Sequence, residues 1–212
     1  MTTHTGPRSA TPPTQCPPQT SPTVTPRFGE LTAAIRAELR PTGSTDPVAA
    51  RVAAALAPFL PHPDLLTPAQ LEPDPHAYRQ HLLHVEPDGS FSVVALVWLP
   101  GQATRIHDHT AWCVVGTYLG AEQETAFRLA DRDGRAVLEP VATTVLPAGT
   151  VTHLTPPGDI HLVRNATTGK VVSLHVYGTD VSARGTSIRR VYDLPILPVP
   201  AGEDRLVGAA AP

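Results

Sequence analysis

Two histidines separated by one residue, His107 and His109, stand in the largely apolar stretch TRIHDHTAWCVVGTYL. In a β-strand, residues i and i+2 point to the same face, so the two imidazoles would project together. Paired imidazoles on one face can supply half of a metal site. An isolated His-x-His pair can equally be two ordinary core or surface histidines, so the surrounding residues have to decide between these interpretations.

Two glycine-bounded strings surround these histidines. The first, residues 101–120, holds the His-x-His pair and then Cys113, and the second, residues 149–165, holds His161. These strings resemble the paired signatures of the cupin superfamily, in which a glutamate occupies the position of Cys113. The resemblance implies a small β-barrel that binds a metal ion. The ligands that it implies are His107, His109 and His161.

A set of three neutral imidazoles without a carboxylate has chemical consequences. Nitrogen ligands suit Fe(II), Zn(II), Cu(II) and Ni(II), so the ligand types alone do not select the metal. Because the ligands bring no negative charge, a substrate thiolate can bind the metal while another position stays open for dioxygen. This arrangement favours thiol chemistry on iron. Three-histidine zinc sites also activate water, but no well-placed carboxylate base for a zinc hydrolase or isomerase is evident.

Three strings, IHDHT, GDIHLVRN and VSLHVYG, together resemble the cysteine dioxygenase family of thiol dioxygenases, which includes the bacterial 3-mercaptopropionate dioxygenases. The resemblance covers about residues 78–178. It implies that the three histidines hold Fe(II) and that a Ser-x-His-x-Tyr string forms a hydrogen-bonded triad beside the iron, a string that Ser173, His175 and Tyr177 match. These three alternate on one face of a strand, where hydroxyl, imidazole and phenol can relay a hydrogen bond. Taken alone, Tyr177 could equally be a core aromatic residue.

The resemblance also gives Cys113 a possible role. In the animal enzymes of the family, a cysteine at the cupin glutamate position is joined to the triad tyrosine by a thioether. Cys113 falls at that position when counted back from Gly120, although its spacing from His109 is one residue shorter. Many bacterial members have glycine there and no crosslink. The sequence leaves open a Cys113–Tyr177 crosslink and a small buried thiol.

Substrate choice is expected to depend on the string YRQHLLH. Cysteine-specific members place an arginine two residues after the tyrosine to bind the substrate carboxylate, whereas here Gln80 follows Tyr78 at that distance, as in members selective for 3-mercaptopropionate. A glutamine is a neutral donor rather than a bidentate cation, so binding of an α-amino acid zwitterion should weaken. Such members use a second arginine near the C-terminal end of the barrel. Arg184 and Arg189 are the candidates, and we assign Arg184 to substrate binding.

Helical and strand patterns position these residues. Apolar residues at four-residue spacing predict amphipathic helices within residues 28–40 and 46–60, the second with Asp46 as cap and Pro47 at its first position. After Tyr78 the period shifts towards two, with turn sequences such as PDG, DRDG and PPGD between the apolar runs. Many short strands predict a mainly β sandwich or barrel. Together with the resemblance, this indicates a cupin, a small jelly-roll β-barrel, preceded by two short α-helices.

Composition sets the limits on domains and partners. The 212 residues, with a formal net charge of −3 and 41% hydrophobic residues, fit one globular domain with a tail. The absence of a basic run argues against nucleic acid as a partner, and no stretch approaches the about 18 apolar residues that span a bilayer. With no apolar signal core and only two cysteines, a cytoplasmic location is expected. We expect a disordered Pro- and Thr-rich tail at 1–27, N-terminal helices at 28–72, the barrel with its iron site at 73–200 and a loose tail at 201–212.

The expected function is that of an Fe(II)-dependent thiol dioxygenase. Its substrates would be O₂ and a small thiol carboxylate, 3-mercaptopropionate or L-cysteine, and its product the sulfinate. The alternative is a non-catalytic cupin that binds a metal or a ligand. An incomplete set of site residues would favour this alternative. The sequence does not indicate an oligomeric state.

Overall fold

In the computed structural model, which describes residues 19–20, 23–40, 44 and 46–197, two helices precede every strand except Gln19–Thr20. Helix α1, Pro26–Glu38, begins where the Thr25 hydroxyl accepts a hydrogen bond from the Phe28 amide. Helix α2, Val48–Leu56, has Pro47 rather than Asp46 at its N-cap and continues into one 3₁₀ turn. Among the described residues, none of the helices combines the length and the apolar character that crossing a membrane requires.

The N-terminal segment differs from the tail expected at residues 1–27. Strand β1, Gln19–Thr20, pairs in parallel with residues 81–82, and α1 already begins at Pro26. Backbone pairing at a sheet edge needs no apolar side chains, so the composition of this segment gave no signal for it. The rest of the expected tail, residues 1–18 and 21–22, and the expected C-terminal tail at 201–212 lie outside the described residues.

Ten further strands and one short helix follow α2 in the described part of the chain: β2 Arg79–Val85, β3 Ser92–Trp98, β4 His107–His109, β5 Cys113–Leu119, β6 Ala121–Arg132, β7 Arg135–Pro147, β8 Val151–Leu154, β9 His161–Asn165, β10 Val171–Tyr177 and β11 Ile188–Val191, with helix α3 Val181–Arg184 before β11. Together with β1, these strands form two sheets. The six-stranded sheet has the order β1-β2-β3-β10-β5-β8 and the five-stranded sheet the order β11-β4-β9-β6-β7, with antiparallel pairing apart from β1. This confirms the mainly β, cupin-type barrel preceded by two short helices.

The six-stranded sheet is buried on both faces around β10. Leu174 and Val176 share one apolar cluster with the helices α1 and α2, whereas Tyr177 belongs to a second cluster on the other face. The helices pack so closely that a Cβ at Gly116 of β5 would lie 2.8 Å from Leu56 Cδ2. Because side chains alternate along a strand, burying Leu174 and Val176 under the helices turns the odd-numbered residues of β10 into the barrel.

Candidate metal centre

The three histidines singled out by the sequence meet inside the barrel. His107 and His109 lie on β4, and His161 opens β9 and is paired with His107 across the two strands. One ring nitrogen of each lies within 4.8 Å of the others, and all three side chains are buried. A single ion between them could therefore be reached by all three through small rotations of the rings.

Each ring uses its Nδ1 for an outer hydrogen bond. An Nδ1–H donor leaves the lone pair of Nε2 free to bind a metal, and the Nε2 of His161 is indeed buried with no partner among the described residues. The donor set thus fits a metal ion. The three Nδ1 bonds run from His107 to the Arg105 carbonyl at 2.8 Å, from His109 to Asp159 Oδ2 at 3.0 Å and from His161 to Glu124 Oε1 at 2.7 Å.

Burial keeps the two imidazoles of β4 neutral. It is the main reason that the pKa of His107 lies well below the ordinary value, with the neighbouring His161 and His109 adding to the shift. Burial also lowers the pKa of His109, against the opposing effect of Asp159. Burial alone would raise the pKa of the Asp159 carboxyl, but the hydrogen bonds from His109 outweigh it and hold that pKa below its usual range. Neutral rings with anchored outer nitrogens are ready to coordinate.

Sequence analysis missed these outer partners. Asp159 stands two residues before His161, in the same string, and could have been noticed there. Glu124 lies far earlier in the chain, on β6, and reaches His161 only because β6 pairs with β9. Such a partner depends on sheet order, which spacing along the chain does not encode.

Asp108, between the two histidines of β4, points away from them. Its Oδ2 accepts hydrogen bonds from Arg189 Nη2 at 2.5 Å and from the Tyr192 hydroxyl at 2.8 Å. The side chain is fully buried, and β11 pairs with β4 along the same edge. The strand that carries His107 and His109 is therefore held in place by residues about 80 positions later in the chain.

The Ser-x-His-x-Tyr string forms one chain of hydrogen bonds beside the three histidines. The distance from Ser173 Oγ to His175 Nε2 is 3.0 Å, and that from His175 Nδ1 to the Tyr177 hydroxyl is 3.2 Å. Trp98 Nε1 donates to Ser173 Oγ at 3.2 Å, and the Tyr177 ring centre lies 6.0 Å from that of His109. Burial lowers the pKa of His175 to about 3 and raises the pKa of the Tyr177 phenol well above its usual value, so both groups are neutral.

Cys113 lies directly opposite Tyr177 across the β5–β10 pair. Residues that face each other in an antiparallel pair project to the same side with their Cβ atoms about 5 Å apart. The shorter spacing from His109 thus leaves the thiol on the same side of the sheet as the phenol. The side chain is completely buried, which raises the pKa of the thiol well above its usual value, and it is not part of the three-histidine group.

A cavity of about 230 Å³ opens onto the three histidines and Tyr177. Gln80 lines it, as the sequence predicts for a substrate-binding residue, together with Thr186 and Ser187, which the sequence analysis did not single out. Apolar side chains such as Val94 and Leu96 form another part of the wall. The volume and mixed lining suit a small polar molecule.

Arg184, which the sequence suggests as a substrate-binding residue, does not line the cavity. Its Nε donates to Thr179 Oγ1 at 2.9 Å on the exposed side of α3, so the guanidinium stays outside the cavity. Arg189, the other candidate, is bonded to Asp108 and does not line the cavity either. Among the described residues, the cavity lining contains no arginine or lysine.

Comparison with known proteins gives a family match and similar curated proteins. The family model described as "Cysteine dioxygenase type I" matches residues 69–183. Cysteine dioxygenase type 1 of Danio rerio is 31% identical over 106 residues, which cover 49% of this chain and 52% of the relative. This chain therefore aligns with about half the length of that curated relative.

Two similar solved structures each align with just over half of this chain. A Cupin 2 conserved barrel domain protein from Salinispora arenicola CNS-205 is 24% identical, with 57% of this chain and 91% of that chain covered at a TM-score of 0.39. The protein TT1209 from Thermus thermophilus is 20% identical, with 54% and 95% covered at the same TM-score.

The family match begins in a second 3₁₀ turn, Pro68–Leu71, and ends in α3, so it includes both histidine strands and the whole of β10. It spans just over half of the chain, and the metal-site histidines and the Ser-His-Tyr string all fall inside it. On this basis the protein belongs to the cysteine dioxygenase type I family.

Proposed function

We propose that the protein is an Fe(II)-dependent thiol dioxygenase that converts a small thiol carboxylate and O₂ into the corresponding sulfinate. The observation that carries this proposal is the buried group of three imidazoles in the same small cavity as the Tyr177 phenol. Atoms balance as RSH + O₂ giving RSO₂H. Iron, when bound, would supply the redox chemistry that such a reaction needs.

His107, His109 and His161 would hold the metal ion. All three are nitrogen donors, and the carboxylates of Asp159 and Glu124 are occupied by outer hydrogen bonds to the rings. Because the ligand atoms carry no charge, an anionic sulfur donor from the substrate would be favoured at the same centre. This charge balance is the physical reason to expect a thiolate as substrate.

Tyr177 would position the reactants. Its phenol is protonated, and the hydrogen bond with His175 fixes its hydroxyl beside the cavity. A fixed phenol can hydrogen-bond a substrate or oxygen atom without reorganising during the reaction. The apolar wall around Val94 and Leu96 would keep water from the reactants, while holding thiol and O₂ close together accounts for much of the expected acceleration.

Oxygen consumption by protein with a measured metal content tests the proposal. Purified without added metal, the chain should contain iron, and with ¹⁸O₂ it should place two labelled oxygen atoms in a sulfinate product detected by mass spectrometry. One O₂ should be consumed per thiol. Stoichiometric zinc, with no oxygen uptake after iron replacement, would contradict the proposal.

We expect a higher kcat/KM with 3-mercaptopropionate than with L-cysteine. Gln80 offers a neutral donor, and the described lining contains no carboxylate side chain to match the ammonium of L-cysteine, a group that 3-mercaptopropionate lacks. The preference should be about tenfold or more, which is the effect of one charge-assisted contact of about 1.4 kcal/mol. Steady-state oxygen uptake with both thiols measures the ratio.

Gln80→Arg provides the comparison for this prediction. A guanidinium at this position would bind a carboxylate in bidentate fashion, so KM for L-cysteine should fall relative to the unmodified protein. An equal or greater kcat/KM for L-cysteine in the unmodified protein would show that carboxylate recognition does not depend on Gln80.

We further predict a thioether between Cys113 and Tyr177 during turnover. The two residues face each other across β5 and β10, and O₂ would serve as the oxidant that takes one hydrogen from the thiol and one from the ring and is itself reduced to H₂O₂. Intact mass should fall by about 2 Da after incubation with iron, thiol and air. Cys113→Gly is the control, because it must keep its full mass under the same treatment. An unmodified Tyr177 peptide throughout would mean that Cys113 only fills space.

A further inference from the structure

Two threonines, Thr104 and Thr186, line the cavity without a role in the site described so far. Thr104 Oγ1 accepts a hydrogen bond from the Val163 amide at 3.0 Å, and Thr186 Oγ1 accepts one from the Ile188 amide at 3.0 Å. A hydroxyl also carries one hydrogen that it can donate. Among the described residues, neither hydroxyl has an acceptor for that hydrogen in hydrogen-bond geometry. Both hydrogens are therefore available to a molecule in the cavity.

The two threonines lie at opposite ends of β4. Thr104 stands in the chain before β4 begins and is tied to β9, because its amide donates to the Val163 carbonyl at 2.9 Å. Thr186 precedes β11, whose first residue, Ile188, is opposite His109, the last residue of β4. Since β11 runs antiparallel to β4, Thr186 lies beyond the C-terminal end of β4. The length of β4 separates the two hydroxyls, so only one of them is expected to bind the carboxylate of a small substrate.

Gln80 lies at the same end of the cavity as Thr104. It is paired with Leu96, close to the end of β3, and the loop of residues 99–106 that follows β3 carries Thr104. Gln102, in this loop, donates from Nε2 to the Asp74 carbonyl at 2.9 Å, which ties the loop to the segment that leads into β2. The Gln80 amide and the Thr104 hydroxyl therefore form two neutral donors on one side of the three histidines.

Thr104 is the better placed of the two threonine donors. Thr104 is half-buried, whereas Thr186 is exposed. Water competes less for a half-buried donor, so a hydrogen bond from Thr104 to a ligand is stronger than one from an exposed hydroxyl. The bond from the Val163 amide also fixes the Thr104 oxygen before a ligand arrives, which reduces the entropy lost on binding.

We propose that Thr104 is a specificity-determining residue that binds the carboxylate of the thiol substrate together with Gln80. The Thr104 hydroxyl donates to one carboxylate oxygen and the Gln80 amide to the other, while the thiol end of the molecule is directed to the three histidines. Hydrogen bonds to a charged acceptor are stronger than those between neutral groups, so two neutral donors can replace an arginine. This inference rests on the proposed function, because it names a residue that recognises the substrate of that reaction.

The test is calorimetric titration of the full chain loaded with Zn(II), a metal that binds thiolates but has no redox chemistry. It compares 3-mercaptopropionate with 3-methylbutane-1-thiol, in which two methyl groups replace the carboxylate oxygens. Thr104→Val keeps the shape of the side chain but removes the hydroxyl, so affinity for 3-mercaptopropionate should fall by about 10- to 100-fold, the effect of one hydrogen bond to a charged group. Affinity for the neutral thiol should not change. Binding to the Zn(II) form does not require dioxygenase activity, so failure of the proposed function would leave this test intact.

Further threonine variants separate the outcomes. Thr104→Ser retains the hydroxyl and should bind 3-mercaptopropionate like the unmodified chain, whereas Thr104→Ala should reproduce the loss. Thr125→Val, on β6 where the hydroxyl pairs with that of Thr143, is the matched control and should change neither affinity. The proposal is overturned if the unmodified chain does not bind 3-mercaptopropionate, if Thr104→Val binds it unchanged, or if Thr104→Val weakens both thiols equally. A loss in Thr186→Val that Thr104→Val does not show would place the carboxylate at the other end of the cavity and overturn it as well.

Discussion

Alanine at His107, His109 or His161 is expected to remove bound iron and oxygen uptake while the barrel stays folded. Each ring contributes one of only three protein nitrogens, and the Nε2 of His161 has no other partner among the described residues. Loss of an outer hydrogen-bond partner already weakens metal binding by about 10- to 100-fold, so loss of a ligand should exceed that range. Elemental analysis, far-UV circular dichroism and an oxygen electrode measure the three quantities.

Variants of the carboxylates that accept the Nδ1 hydrogen bonds of His109 and His161 provide the control. Glu124→Gln and Asp159→Asn keep a side chain of the same shape beside His161 and His109 but remove its charge. Metal affinity should fall by about 10- to 100-fold, to a value between that of the unmodified protein and those of the alanine variants. Full iron in all three alanine variants would show that the ion binds elsewhere.

Glu122→Gln is expected to change the free energy of unfolding, relative to the unmodified protein, and this change should be about 3 kcal/mol more stabilising at pH 8.5 than at pH 4. The pKa of this carboxyl is about 7 in the folded chain, because burial raises it, and takes the ordinary value of 4.5 once unfolding exposes it. Between pH 4.5 and about 7 the Glu122 carboxyl is protonated in the folded chain and ionised in the unfolded chain. The free energy of unfolding therefore falls as the pH rises through this range, and the loss is complete above pH 7. Glutamine removes this loss because it cannot ionise.

Urea unfolding at the two pH values measures this difference, and Glu139→Gln gives the opposite sign. Hydrogen bonds from Arg128 and then Arg132 lower the pKa of Glu139, so its charge stabilises the fold above the carboxyl range and its removal should weaken the fold there. A difference between Glu122→Gln and the unmodified chain that does not change with pH would show that Glu122 is not ionised by pH 8.5.

The part of the site that sequence predicts best lies within single strands. His107 and His109 share a face because a strand has a period of two, and the same rule aligns Ser173, His175 and Tyr177. The pairing of His161 with His107 joins two strands about 50 residues apart, and no local pattern specifies it. That part of the prediction depended on the family resemblance.

The features of the site that the sequence did not predict have a common physical cause. Arg184 is directed by a hydrogen bond to Thr179 at the end of a four-residue helix, a contact that spacing does not encode. Glu122 and Glu124 alternate along β6, and two acids on one strand face normally indicate a solvent-facing side because burying charge is costly. Here that face is the inside of the barrel, where Glu124 is hydrogen-bonded to His161 and Glu122 is fully buried.

The contacts of Asp108 also set an order of events during synthesis. Strand β4 is held by β9 on one side and by β11 on the other, and Asp108 is fixed by Arg189 and Tyr192. A ribosome delivers residue 107 long before residue 192, so the emerging chain has His107 and His109 without the strand and the side chains that hold β4 in place. We therefore expect these two histidines to reach the geometry of the folded protein only after Tyr192 has been synthesised.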